Sequence, residues 1–159
     1  MNAPRPRPDW RDPVQLAACG FGAGFAPVAP GTFGTLVALP LWWLLQPLPL
    51  ALYLAVVAVL ALAGIGLCDR AARTLGVPDH PAIVWDEMVG YLVTMIAAPP
   101  GWLPALLGFV LFRAFDILKP WPIRWFDRQV HGGLGIMLDD LVAGLFAALA
   151  LQVVLGYLL

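Results

Sequence analysis

The stretch LALYLAVVAVLALAGIGLC, residues 50–68, carries no charged side chain over its whole length. As an α-helix it would reach about 28 Å, close to the hydrocarbon thickness of a bilayer. The whole chain is 61% hydrophobic and 12% charged, whereas soluble domains are about half apolar and about a quarter charged. The stretch therefore predicts a membrane-spanning helix. The alternative, a soluble all-helical protein with a very apolar core, would have to enclose more apolar surface than a chain of this size can hide.

The charged residues of the chain fall into three blocks, at residues 5–12, 69–87 and 113–140, with uncharged segments between them. The turn signals QPLP (46–49) and APPG (98–101) break two of these segments, because proline removes a backbone donor and fixes φ. We therefore expect an all-α integral membrane bundle of about five helices. They lie near residues 35–45, 50–68, 82–97, 102–118 and 139–157, as two hairpins and a C-terminal helix. Helices of about 16 residues reach only ~24 Å, so some are expected to be short or partly re-entrant.

One domain, residues 14–159, is expected to follow a disordered cytoplasmic N-terminus, residues 1–13, which lacks the apolar core of a signal peptide. Cys19 and Cys68 lie in apolar surroundings and are interpreted as small hydrophobic residues. The net charge of −1 argues against a nucleic-acid partner, and the oligomeric state is not predicted. The positive-inside rule makes cytoplasmic the side that holds the basic residues, which are Arg5, Arg7, Arg11, Arg70, Arg73, Lys119, Arg124 and Arg128.

Five carboxylates are expected to meet at that same membrane face, at the ends of the predicted helices. They are Asp86, Glu87, Asp116, Asp139 and Asp140. Ionisable groups at membrane depth are costly and usually functional. Helix phase places Glu87 and Asp140 on inward faces. Carboxylates that converge without His or Cys are hard oxygen ligands, which suits Mg²⁺ better than zinc.

More ordinary roles stay open for these acids. Asp86 and Asp139 would serve equally well as helix caps or first-turn partners of the helix dipole. Glu87, Asp116 and Asp140 would serve as buried partners of Arg113 or Lys119.

An anion near those acids would need basic donors, and Lys119, Arg124 and Arg113 are the candidates for binding phosphate. The alternative is a juxtamembrane belt, with Trp121 and Trp125 in the interface and basic residues such as Arg128 on lipid head groups.

The glycine-rich stretch GFGAGFAPVAPGTFGT (20–35) offers a possible anion nest at Gly31 and Thr32, where a helix begins. Glycines at this place are equally typical of turns and close packing. His131 lies before Gly132 and Gly133 in a predicted flexible loop. It could donate a proton to a leaving alkoxide, or it could be a plain hydrogen-bonding residue. His80 is interpreted as structural.

Three blocks together resemble the phosphatidylglycerophosphatase A family: GFGAGFAPVAPGTFGT (20–35), IVWDEMVG (83–90) and FDILKPWPIRWFDRQVHGGLGIMLDDLVAG (115–144). The resemblance runs from about residue 14 to the C-terminus. It implies an all-helical enzyme of the bacterial inner membrane that uses Mg²⁺ to remove the terminal phosphate of phosphatidylglycerophosphate, giving phosphatidylglycerol.

Placed on these blocks, the chemistry predicts one or two Mg²⁺ held by Glu87, Asp116 and Asp140, with help from Asp86 or Asp139. The metal would lower the pKa of a bound water, and Lys119 and Arg124 would neutralise charge on the phosphoryl oxygens. The rival hypotheses are a head-group transferase acting on another lipid phosphate and a small divalent-cation carrier.

Overall fold

The computed structural model describes residues 6–158, and these contain helices but no β-strand. The α-helices are α1 (Pro13–Ala18), α2 (Pro30–Leu45), α3 (Leu50–Leu75), α4 (Trp85–Thr94), α5 (Trp102–Leu118), α6 (Ile123–Gln129) and α7 (Gly132–Leu158). A 3₁₀ helix, Gly20–Phe25, lies between α1 and α2. The all-α prediction is confirmed. The five predicted helices are α2, α3, α4, α5 and α7; the three short elements were missed because they hold too few residues for a hydrophobic period.

The N-terminal boundary of α7 differs from the prediction by seven residues, since the helix begins at Gly132 and not near residue 139. Gly132 and Gly133 were interpreted as a flexible loop, and that interpretation is wrong. Gly133 is buried where α7 crosses α3, and a Cβ there would collide with the Ile65 carbonyl. Its N–H donates to Asp69 Oδ1 at 3.2 Å. Gly133 therefore serves close helix packing, while Gly132 is exposed and has the positive φ of 72° that favours glycine.

Helix α4 lies at the centre of the fold and packs against α2, α3, α5 and α7. Its ten residues reach only about 15 Å, so the prediction of a short helix is confirmed. Two tyrosine hydroxyl groups hold the C-terminal half of α4 in place. Tyr53 donates to the Leu92 carbonyl at 2.6 Å, and Tyr91 donates to the Ala105 carbonyl at 3.0 Å. The central helix is thereby tied to both α3 and α5.

The contact between α4 and α7 depends on the small residues Gly90 and Gly144. A Cβ on Gly144 would meet the Gly90 carbonyl and would lie 3.0 Å from Val93 Cβ. Thr94 Oγ1 donates to the Gly90 carbonyl at 3.0 Å. Close backbone approach of this kind is typical of helix pairs in lipid. It also sets how near the polar N-terminal half of α7 comes to the start of α4.

Two helices, α3 and α7, are long and apolar enough to cross a membrane by length and composition. Their outer faces carry large apolar side chains in the open, such as Leu62 at 70% and Leu149 at 68% exposure. Apolar faces this large are not stable in contact with water and mark a membrane or protein interaction surface.

The predicted disordered N-terminus falls partly on residues 1–5, which lie outside the described residues. Of the rest, Asp12 caps α1, accepting from Val14 N at 2.8 Å, and Pro13 occupies the first helical position. His80, interpreted as structural, is buried and contacts the Pro6 carbonyl at 3.0 Å. Cys19 and Cys68 are both fully buried.

Candidate active site

All five carboxylates singled out in the sequence line one cavity of about 390 Å³. The walls come from the start of α2, the loop before α4, the start of α4, the end of α5 and the first turns of α7. The expected convergence at one end of the fold is therefore seen in the structure. Within the cavity the five acids separate into groups with different partners.

Asp86, Glu87 and Asp140 form the innermost group, which we call the carboxylate trio. One oxygen from each lies within 4.8 Å of the others, a spacing that could hold a metal ion. Asp86 and Glu87 stand in the first turn of α4, and Asp140 stands in the third turn of α7. The close crossing of these two helices at Gly90 and Gly144 brings the three acids together.

The trio contains buried oxygens that nothing in the described part of the chain satisfies. Asp86 Oδ1, Glu87 Oε2 and Asp140 Oδ2 are buried and accept no hydrogen bond. Burial raises the pKa of Asp86 and of Glu87, and the neighbouring acids raise the pKa of Asp86 further. Buried carboxylates without partners are destabilising unless a proton or a cation joins them. An all-oxygen donor set of this kind fits Mg²⁺.

Arg113 connects the trio to Asp116. Its Nη1 donates to Asp116 Oδ2 one turn along α5 and lies 4.0 Å from Glu87 Oε1. The side chains of Arg113, Glu87 and Asp116 are 15%, 16% and 12% exposed, so these pairs are largely withdrawn from water. Asp116 is therefore placed as the partner that orients Arg113, beside the trio but not in it.

Lys119 is held by two carboxylates. Its Nζ lies 2.6 Å from Asp139 Oδ2 and 2.7 Å from Asp127 Oδ1. Burial acts to lower the pKa of Lys119, but the two acids outweigh it and the pKa lies above its usual value. Asp127 was missed in the sequence, where the only signal was its place shortly after Lys119; it lies in α6.

The structure decides between several alternatives that the sequence left open. Asp139 is no helix cap, because α7 begins seven residues before it. Asp86 does lie in the first turn of α4, yet its side chain caps nothing there. Arg124 points elsewhere: it is exposed, does not line the cavity, and donates to the Leu118 carbonyl at 3.4 Å.

The two remaining predicted positions in the glycine-rich stretch have different surroundings. Gly31 lines the cavity, and a Cβ on it would collide with Glu87 Oε1. Thr32 does not line the cavity, and its backbone N–H is used by the Ala29 carbonyl at 3.0 Å. His131, just before α7, is exposed and lines the cavity mouth. Asp79 also lines the cavity and was missed, because nothing in the loop sequence marks it.

Comparison with known proteins shows which family the chain belongs to. Residues 16–155 match the family model described as Phosphatidylglycerophosphatase A. The chain belongs to this family. It is 51% identical to the phosphatidylglycerophosphatase A of Escherichia coli strain K12 over 138 residues, 86% of this chain and 80% of the relative. It is 42% identical to the phosphatidylglycerophosphatase A of Haemophilus influenzae over 150 residues, 93% and 92% of the two chains.

A third relative, from Bacteroides thetaiotaomicron, is named as a proposed phosphatidylinositol-3-phosphatase. It is 36% identical over 147 residues, 87% of this chain and 91% of its own. No solved structure matches the chain. The matched region contains the trio, Arg113, Lys119 and Gly31, so the resemblance stated from the sequence is confirmed.

Proposed function

We propose that the chain is a Mg²⁺-dependent phosphatase that hydrolyses phosphatidylglycerophosphate to phosphatidylglycerol and phosphate. Family membership supports the reaction. The observation that carries the site is the carboxylate trio, Asp86, Glu87 and Asp140, with its three unpartnered buried oxygens.

The charge of the cavity supports the need for a cation. Arg113 and Lys119 are the only permanently cationic side chains among its lining residues. The acids that line it are Asp79, Asp86, Glu87, Asp116, Asp127, Asp139 and Asp140. A phosphomonoester near neutral pH carries almost two negative charges and would be repelled by such a wall. A divalent cation on the trio offsets part of this excess.

The residues have different proposed roles, which follow from their positions in the cavity. Asp86, Glu87 and Asp140 would hold the Mg²⁺, which when bound supplies Lewis-acid stabilisation of the phosphoryl oxygens and activates water. Arg113, kept in place by Asp116, presents its guanidinium to the phosphate beside Glu87. Lys119 pairs with Asp139 and Asp127 and so offsets part of the negative charge of the cavity wall. His131 at the mouth is the candidate proton donor to the glycerol oxygen that leaves.

The same proposal places the enzyme in the bacterial inner membrane as a multi-pass protein, with the cavity facing the cytoplasm. The long apolar helices α3 and α7 support this, since only 17% and 28% of their most apolar stretches are buried within the protein. The basic residues of the cavity end support the orientation through the positive-inside rule.

The test is release of phosphate from phosphatidylglycerophosphate in detergent, with Mg²⁺ and with a chelator. We expect Mg²⁺-dependent release by the wild type and a loss of at least about a hundredfold in Glu87→Gln and Asp140→Asn. Asp9→Asn removes an exposed carboxylate far along the chain from the trio and serves as the matched control. If the folded Glu87→Gln and Asp140→Asn variants kept wild-type rates, the proposed metal site would be wrong.

The rival hypotheses give different products in the same assay. A head-group transferase would attach a labelled alcohol acceptor to the lipid without releasing free phosphate. A cation carrier would move Mg²⁺ across vesicle membranes and leave the lipid unchanged.

A further inference from the structure

A second cavity, of about 720 Å³, lies next to the carboxylate cavity and shares Pro30 and Pro81 with it. Its walls come from the N-terminal segment, the end of the 3₁₀ helix and the loop before α4, and include Arg7, Trp10 and Phe25. No carboxylate of the described residues lines it. Its charge is therefore opposite to that of its neighbour.

Among residues 6–158, Arg7 is the one Lys, Arg, Asp or Glu side chain that lines this second cavity. The other titratable residue there, His80, accepts from Ala82 N through Nδ1 at 3.2 Å and faces the Pro6 carbonyl through Nε2 at 3.0 Å. Among the described residues, no carboxylate forms an ion pair with Arg7. Its guanidinium is thus available to an anion.

The segment that carries Arg7 is fixed at three points. The Pro6 carbonyl contacts His80, Asp9 N donates to Gln15 Oε1 at 2.9 Å, and Asp12 caps α1. Arg7 therefore has a defined place on the wall of the cavity. The segment precedes residues 16–155, the part of the chain that the family match covers.

Apolar surface leads from this cavity along α2. Phe25 and Val28 are 40% and 73% exposed beside the cavity, and Phe33 and Leu36 continue the exposed apolar face on the first turns of α2. Acyl chains lying against these side chains would bring a phospholipid's phosphodiester to the cavity that Arg7 lines, and its head group could reach the carboxylate cavity across the shared Pro30 and Pro81.

We propose that the second cavity binds the internal phosphodiester of the lipid, with Arg7 as its cationic contact, while the terminal phosphate occupies the carboxylate cavity. The proposal rests on the proposed function, because it assigns the two phosphates of one substrate to two adjoining cavities. Arg7 then selects a lipid that carries a diester behind its monoester, and it contributes to binding without taking part in bond cleavage.

The test compares Arg7→Gln with Arg11→Gln, which removes the same charge from the same segment but not from the cavity wall. Inhibition by the two reaction products reports on the two cavities separately. Phosphatidylglycerol carries only the diester, and inorganic phosphate occupies only the carboxylate cavity. We expect Arg7→Gln to raise the KM for phosphatidylglycerophosphate and the inhibition constant of phosphatidylglycerol by the same two- to fivefold or so, typical of an exposed charge pair. Its kcat and its inhibition by phosphate should not change.

Calorimetric titration with dihexanoyl phosphatidylglycerol needs no turnover, so it tests this cavity even if the proposed hydrolysis were absent. Here too Arg7→Gln should bind the lipid two- to fivefold or so more weakly than the wild type and Arg11→Gln. Equal affinities in all three proteins, or equal losses in both variants, would overturn the proposal. A fall in kcat or a weaker inhibition by phosphate in Arg7→Gln would overturn it as well, because Arg7 would then act on the carboxylate cavity.

Discussion

Gly31→Ala should damage the metal site without unfolding the protein. Gly31 lies in the first turn of α2, against the side chains of Glu87 and Arg113. A Cβ there would lie 3.1 Å from Glu87 Cδ and 3.1 Å from Arg113 Nη1, and closer still to Glu87 Oε1. Non-bonded atoms settle at about 3.5–4.0 Å, so Glu87 Cδ must move by roughly 0.4–0.9 Å and Glu87 Oε1 by more than about 1 Å.

A displacement of about 1 Å at a reacting centre lowers rates by up to roughly a hundredfold. We therefore expect Gly31→Ala to lower kcat/KM by about ten- to a hundredfold, equivalent to about 1.4–2.7 kcal/mol of transition-state stabilisation. Mg²⁺ should bind more weakly as well. The fold should survive, because alanine is a better helix former than glycine by up to ~1 kcal/mol and Gly31 lies in a regular helix.

The assay is phosphate release as a function of Mg²⁺ concentration, with thermal unfolding measured on the same samples. Gly66→Ala is the matched control, since Gly66 is also helical and a Cβ on it meets nothing within 4 Å. Wild-type kcat/KM and Mg²⁺ dependence in Gly31→Ala would refute the reasoning. So would a fall in melting temperature large enough to account for the lost activity.

Three further substitutions test neighbouring parts of the account. Arg113→Lys keeps the charge but loses the planar fork beside Glu87 and Asp116, so kcat/KM should fall about tenfold or more; an unchanged rate would remove Arg113 from the site. Lys119→Met leaves the buried Asp139 carboxylate unpaired and should lower the free energy of unfolding by about 3 kcal/mol, a loss that denaturant titration would measure. Gly144→Ala forces α7 away from α4 and should destabilise the fold by about 1–3 kcal/mol. Gly156→Ala, with open space around it, should leave the stability unchanged. Equal melting temperatures for these two variants would contradict the packing of α4 against α7.

The sequence predicts the five main helices and the convergence of the five carboxylates. Both follow from the alternation of long uncharged segments with short charged blocks along the chain. The phases of Glu87 and Asp140 were also predictable, since small residues mark the sides of α4 and α7 that meet. These features depend on local periodicity and on the low tolerance of lipid for charge.

The partners of individual side chains could not be predicted from the sequence. Whether Lys119 meets phosphate or Asp139 depends on how α6 and α7 pack, and that contact joins residues 20 apart. The early start of α7 was hidden because Gly132 and Gly133 are typical of a loop, and only the burial of Gly133 against α3 shows why the helix needs a glycine there. The sequence likewise placed Asp116 with Glu87 and Asp140 at the metal and left Asp86 and Asp139 as alternative helpers, whereas the structure groups Asp86 with Glu87 and Asp140.

The affinity for Mg²⁺, measured by calorimetry on purified variants in detergent, tests the central claim most directly. The account predicts that Asp86→Asn and Asp140→Asn bind Mg²⁺ at least about tenfold more weakly than the wild type. Asp139→Asn, which removes only one partner of Lys119, should bind it with nearly wild-type affinity. A large loss of affinity in Asp139→Asn together with wild-type affinity in Asp86→Asn would contradict the account and return the metal to the ligands first expected from the sequence.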